Sequence, residues 1–181
     1  IVGVCLVACG RRRIGYIAGW EGASTQRDRE AGLMAALTTH DIPLFAREVG
    51  NFRKEGAIEA TRAMFDVPAN QRPDAVFVAN DHMAFFVLDT LRYELGLKVP
   101  HDVAVVGYDD VPPAAWPAYD LTTVRQRSNT MVQETVDTFI RQIEEPEDFR
   151  PRQVAIDGPL IIRGSSHSLP SKGKAQTNAG I

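Results

Sequence analysis

Residues 103–113 read VAVVGYDDVPP, an apolar run that stops at a glycine, an aromatic ring and two adjacent carboxylates, Asp109 and Asp110. Residues 75–81, AVFVAND, have the same form and end on Asn80 and Asp81. Short runs rich in valine and isoleucine, bounded by turn formers, are strand signals. RIGYIA at residues 13–18 is a third, and weaker runs at 122–125 and 154–162 complete the set.

Between these runs the sequence has helical period. In residues 25–39, Leu33, Met34 and Leu37 share a face, with Thr25 placed as N-cap. In residues 82–95, Met83, Val87, Leu91 and Leu95 form a stripe that Gly96 closes. Residues 129–143 carry Val132, Val136, Phe139, Ile140 and Ile143 and are followed by Pro146; residues 56–65 make a shorter helix. A crossover helix is the compact way to return a chain to a parallel neighbour. The alternation therefore predicts an α/β fold: a parallel sheet with helices on both faces, and the strands at 13, 75 and 103 in its centre.

The opening IVGVCLVACG reads as the end of a helix that stops at Gly10, with Arg11, Arg12 and Arg13 just beyond, where positive charge suits the macrodipole. It is about half the length of a membrane span and has no positive region before it, so neither a span nor a signal peptide is expected. That predicts a cytoplasmic protein without a membrane partner. Cys5 and Cys9 stand one helical turn apart, with no further Cys and no His in a pattern to complete a tetrahedral set. They are expected as buried free thiols in a reducing compartment, with no metal bound. A net charge of −3 offers no general attraction to phosphate backbones or anionic surfaces.

In an open parallel sheet, ligands bind beyond the carboxyl ends of the strands. The tips here are residues 19–25, Asn80 with Asp81, and Asp109 with Asp110. Acceptors, amides, an arginine fork and flat rings are the set that holds a polyhydroxylated ligand. Asp81 and Asp110 are expected to cap the segments that follow them, leaving Asn80 and Asp109 facing the ligand. Catalysis has no candidate. No G-x-S-x-G elbow is present, no Cys pairs with a His, GWEGAST has the wrong spacing for a phosphate loop, and consecutive carboxylates in an extended segment point apart.

RRRIGYIAG, STQRDREAG, PDAVFVANDHMA, VPHDVAVVGYDD, LTTVRQ and LIIRGSS occur in one order. This series resembles the LacI/GalR-type bacterial transcriptional regulators in their effector-binding domain. The resemblance implies the type I periplasmic-binding-protein-like fold, with two α/β lobes around a hinged cleft, no enzyme activity and no cofactor. It implies a sugar or related polyol as effector, a homodimer, and contact with operator DNA only through a helix-turn-helix that this sequence lacks. Residue by residue, it assigns ligand contact to Arg29, Phe52, Asn80, Asp109 and Gln126, and also to Thr25 and Trp116. Arg29 otherwise reads as a solvated helix-face charge, Phe52 as a core ring and Trp20 as loop packing. Asp120, where the family often has proline, and Arg127-Ser128 depart from the family pattern and leave the effector open.

On the same resemblance, residues 1–128 are expected to form the second-lobe core and residues 129–153 the returning segment that would complete a first lobe. Residues 154–166 are the final strand region, and residues 167–181 a disordered tail. An apolar helix face at 129–143 without its lobe predicts that the chain self-associates or is only marginally stable. A solute-binding protein of a sugar transporter is the alternative; GYDD and LTTVRQ favour the regulator.

Overall fold

The apolar runs become strands and the periodic segments helices in a computed structural model that describes residues 1–147 and 150–166. In chain order they are α1 (Val2–Ala8), β1 (Ile14–Ala18), α2 (Ser24–Thr39), β2 (Ala46–Val49), α3 (Lys54–Phe65), β3 (Ala75–Val78), α4 (Asp81–Asp89), β4 (Ala104–Asp109), β5 (Thr122–Arg125), α5 (Ser128–Glu144) and β6 (Leu160–Ile161). The six strands form one sheet in the order β2-β1-β3-β4-β5-β6. All pairs are parallel except β5 with β6. The expected α/β class holds, and β1, β3 and β4 are central. Every residue of β1 and β3 is buried, which is why those runs are apolar throughout rather than alternating.

The strand order fixes the layers. From β1 the chain steps outward to β2, then crosses back over β1 to β3 and on to β4. Right-handed crossovers in opposite directions put α2 on one face and α3 and α4 on the other. Accordingly α1 packs on α2, and α3 on α4. The direction changes between β1 and β3, so the loops leaving those two strands part and open a crevice at their carboxyl ends.

At the N-terminus, α1 ends as expected. Gly10, at φ +82°, donates its N–H to the Val7 carbonyl, and Arg11 N–H reaches Leu6 O. Only glycine takes that left-handed turn without cost. Arg12 Nη1 also donates to Val7 O at 3.0 Å, a cation on the last turn of the helix.

Several expectations need correction. Thr25 is not an N-cap: α2 starts at Ser24 after Ala23, with no side-chain cap. The helix expected to run to Leu95 is α-helical only to Asp89 and continues as one wide π-type turn over Thr90–Glu94 before Gly96, at φ +63°. Of the strand read at 154–162, only Leu160–Ile161 pairs, because Pro159 has no N–H to donate and Gly158 lies against the Arg125 backbone. The polar edge strand β2 carried no apolar run to announce it.

α5 has no buried residue. Val132, Phe139 and Ile143 are more than half exposed, so its apolar stripe lacks a partner among the described residues. The tail at 167–181 lies outside them, as do Asp148 and Phe149.

Candidate functional site

Arg29 spans the crevice. It sits one turn into α2, which follows β1, and its Nη1 donates to the Ala79 carbonyl at the tip of β3, 2.5 Å away. Its Nη2 meets Asp109 Oδ1 at the end of β4, at 3.2 Å. The guanidinium lies over the Tyr108 ring, 4.0 Å from the centroid. A planar fork with several donors is the side chain that can serve a carbonyl, a carboxylate and a ring at once. It is no solvated helix-face charge, since its side chain is only 13% exposed.

Gln126, just past β5, donates from Nε2 to the same oxygen, Asp109 Oδ1. Both bonds fall on Oδ1, and Oδ2 takes none from the described residues. Burial pushes the Asp109 carboxyl above the usual carboxylate range, although Arg29 and Gln126 pull it down. The backbone here is strained: Asp109 has φ +128° and Asp110 φ +56°. Side chains rarely adopt such angles, and they cluster at ligand sites. The twist turns the two neighbouring carboxylates to different partners.

Asp110 belongs to a brace. Arg125 Nε and Arg163 Nη2 hold it at 2.5 and 2.7 Å, and its side chain is 5% exposed. Burial raises its pKa, but the two arginines prevail and the carboxyl lies below its ordinary value. Asp81, fully buried, accepts from Thr123 Oγ1 at 2.6 Å and from Val111 N–H at 3.0 Å. Burial pushes its carboxyl up. A Cβ on Gly107 would strike that carboxylate, so glycine is what lets Asp81 reach across β4. The expected caps are thus reversed. Asp81 and Asp110 tie strands together, and it is Asn80 that caps α4, its Oδ1 accepting from Met83 N–H at 3.0 Å. The Asn80 amide nitrogen keeps both donors, since a cap uses only the oxygen.

A cleft of about 460 Å³ opens here, lined by Thr25, Arg29, Tyr108, Gln126 and, from α5 and the segment after it, Met131 and Asp157. Thr25, Arg29 and Gln126 thus line one cleft; Asp109 joins them only through its bonds to Arg29 and Gln126, and neither it nor Asn80, at the neighbouring tip, is among the lining residues. Phe52 and Trp116 are not among the residues lining this cleft. Phe52, at φ +56°, lies over Gly19 and lines a separate hollow with Trp20, Asn51 and Arg53. Trp116 is 56% exposed in the turn after β4. Trp20 rests on Gly22 but is 61% exposed.

Sequence reasoning missed two positioning residues. Gln26 is buried on the α2 face shared by Leu33 and Leu37, and its Oε1 accepts from Tyr16 OH at 2.7 Å and from Gly19 N–H at 2.9 Å. It pins the loop after β1, and burial pushes the Tyr16 phenol up to about 12, which keeps it a donor. A glutamine on an apolar helix face was the available signal. Tyr108, under Arg29, was visible only as part of GYDD. Cys5 and Cys9 are free but only half-buried rather than buried as expected, with the Cys5 thiol raised by desolvation to about 11, and no cluster of metal-ligating groups occurs among the described residues. None of the described helices is long and apolar enough to cross a membrane.

Comparison with known proteins matches residues 5–166 to the periplasmic binding protein-like domain. The Escherichia coli (strain K12) ribose operon repressor is 33% identical over 163 residues, covering 89% of this chain and 48% of the repressor. The HTH-type transcriptional repressor PurR of Haemophilus influenzae (strain PittEE) is 30% identical over 168 residues, 91% of this chain and 49% of that protein. The chain thus spans about half the length of the curated relatives it matches. Among solved structures, a Lac repressor dimer bound to operator and the anti-inducer ONPF superposes with a TM-score of 0.80 at 30% identity, over 90% of this chain and 55% of the other. A complex of the transcriptional regulator CelR with cellobiose gives 0.82 at 31%, over 91% and 50%. The motif order, the fold and these matches agree, and the chain belongs to the periplasmic binding protein-like domain family, in the form that LacI-type transcriptional regulators carry.

Proposed function

We propose that this chain is the effector-sensing part of an operator-binding transcriptional regulator and takes a neutral, polyhydroxylated small molecule at the carboxyl ends of β1, β3, β4 and β5. The observation that carries the reading is the Arg29–Asp109–Gln126 cluster. It presents a carboxylate oxygen without a partner among the described residues, a half-used amide and a guanidinium whose charge Asp109 already balances. Paired hydroxyls suit such a site better than a second anion does. The relatives named above are repressors, and one solved neighbour holds cellobiose. They support a regulator over a transport protein, and over an enzyme.

On this reading, residues 1–128 are one lobe and residues 129–153 the segment that completes the other, with α5's apolar stripe covered in the whole protein. The regulator works in the cytoplasm as a homodimer and meets DNA through a separate helix-turn-helix. Calorimetric titration with a panel of pentoses, hexoses and cellobiose tests the site. One sugar is expected to bind saturably, and Arg29→Ala to weaken it by about a hundredfold, in line with losing a charge-assisted pair. A panel without any binder, or a binder indifferent to Arg29, would remove the cluster from the effector site.

A further inference from the structure

A parallel sheet has two ends, and the amino ends of β1, β3 and β4 also enclose a cavity, of about 340 Å³. Arg13, Phe65, Arg72, Leu97, Asp102 and Val103 line it. The three consecutive arginines that lead into β1 are put to different uses. Arg11 is buried, with Nη1 on the Asp74 carbonyl at 2.9 Å and Nη2 on that of Pro100 at 2.7 Å. Arg12 turns back to the carbonyls of Val7 and Arg11. The Arg13 guanidinium donates to nothing among the described residues, although its Nε is buried, and the Phe45 ring centroid lies 6.0 Å away. Arg11 Nε is buried without a partner as well, but both its terminal nitrogens are used; buried donors are almost always matched, and Arg13, whose whole fork is unmatched among the described residues, is the one that points to an acceptor the fold itself does not supply.

Arg72 adds a second fork. Its Nε holds the Val67 carbonyl at 2.7 Å, which fixes the side chain and leaves both terminal nitrogens without a partner among the described residues. Asp102 gives one oxygen to the Lys98 N–H at 2.7 Å and sets one carboxylate against two guanidiniums. Phe65, Leu97 and Val103 make the rest of the wall apolar. Arginine forks match the planar or trigonal faces of carboxylate and phosphate groups, and an apolar wall suits a carbon body behind such a head.

We propose that this cavity is a second small-molecule site, separate from the effector cleft, for an oxyanion carried on a partly apolar body. Arg13 and Arg72 hold the oxyanion, and Phe65, Leu97 and Val103 cover the body. The test is titration of the full chain with phenyl phosphate, benzoate and inorganic phosphate at constant ionic strength, followed by calorimetry and amide NMR. Phenyl phosphate or benzoate is expected to bind saturably with a dissociation constant at or below about 1 mM, and more tightly than inorganic phosphate. Whichever of the two binds better identifies the head group. Arg13→Gln and Arg72→Gln should each weaken binding at least about tenfold, the loss of one charge-assisted contact. Arg141→Gln, which removes a positive charge from α5, should leave it unchanged. Arg13→Gln breaks no side-chain hydrogen bond among the described residues, so its fold, checked by circular dichroism, is expected to persist. Failure of all three probes to saturate, or equal affinity in the Arg13 and Arg72 variants, overturns the site. Neither result bears on the sugar titration, which reads the opposite end of the sheet.

Discussion

Two carboxylate clusters stand side by side at the strand tips and are built on opposite terms. In one, Asp81 is fully buried and the Asp110 side chain is 5% exposed, and their oxygens accept from Thr123, the Val111 N–H, Arg125 and Arg163. In the other, Asp109 gives one oxygen to both Arg29 and Gln126, and its second accepts from no described residue. The first cluster is saturated, so a ligand could gain nothing from it without breaking structure. The second is under-used, strained in backbone and partly solvated, which is what an exchangeable site requires. A fold can carry such a loose site because a tight one lies against it.

The sharpest way to break this contrast is at Asp81. Asp81→Ala orphans the buried Thr123 hydroxyl and the part-buried Val111 N–H, and is expected to cost about 3 kcal/mol of unfolding free energy in urea titrations. A loss under about 1 kcal/mol would mean that water enters and that the brace is no tighter than the cradle.

Titration separates the neighbours next. The folded pKa of Asp110 is depressed, so its contribution is present above the unfolded value and lost as pH falls through the folded one. Asp110→Asn is expected to destabilise by about 2 kcal/mol at neutral pH, and by progressively less below about pH 4. Asp109 is raised, so the reverse holds. Its protonated form is the favoured one, and its contribution fades as pH rises through the folded value. Asp109→Asn should therefore gain stability relative to the parent as pH climbs from acid to neutral. Melting curves of both variants across that range should diverge with opposite slopes, and parallel slopes would erase the distinction.

The saturated half was the less legible in sequence. Strands buried on both faces announce themselves as apolar runs, so β1, β3 and β4 and the convergence of their carboxyl ends were readable, and so was the Arg29–Asp109 pairing once charge was considered. Asp81 and Asp110 look like turn formers because the strand-crossing contacts that occupy them come from Thr123 and Arg163, more than 40 positions away in sequence. No local pattern carries that. Edge strand β2 failed for another reason: it is half exposed and polar, and its pairing comes from β1 rather than from its own residues. Phe52 and Trp116 show what a motif match leaves open. Their positions in sequence were clear, but the direction of each ring depends on a backbone turn, at φ +56° for Phe52 and in the loop after β4 for Trp116.

Gln126 provides the finest discrimination, because it touches Asp109 yet belongs to the crossover between β5 and α5. If the cradle is loose by construction, its amide is replaceable by solvent in the empty protein and matters only with ligand present. Gln126→Ala should then change unfolding free energy by less than about 1 kcal/mol, since a half-exposed hydrogen bond is readily exchanged for one to water. The same variant should raise the Asp109 carboxyl still further, because one of the donors that favours its charged form is gone. It should also shift the sugar affinity in the titrations described above. A destabilisation comparable to that of Asp110→Asn would instead make Gln126 a structural tie. The crossover, Asp109 and the brace would then form one rigid unit, and effector binding would have to move that unit whole rather than displace a single amide from one carboxylate oxygen.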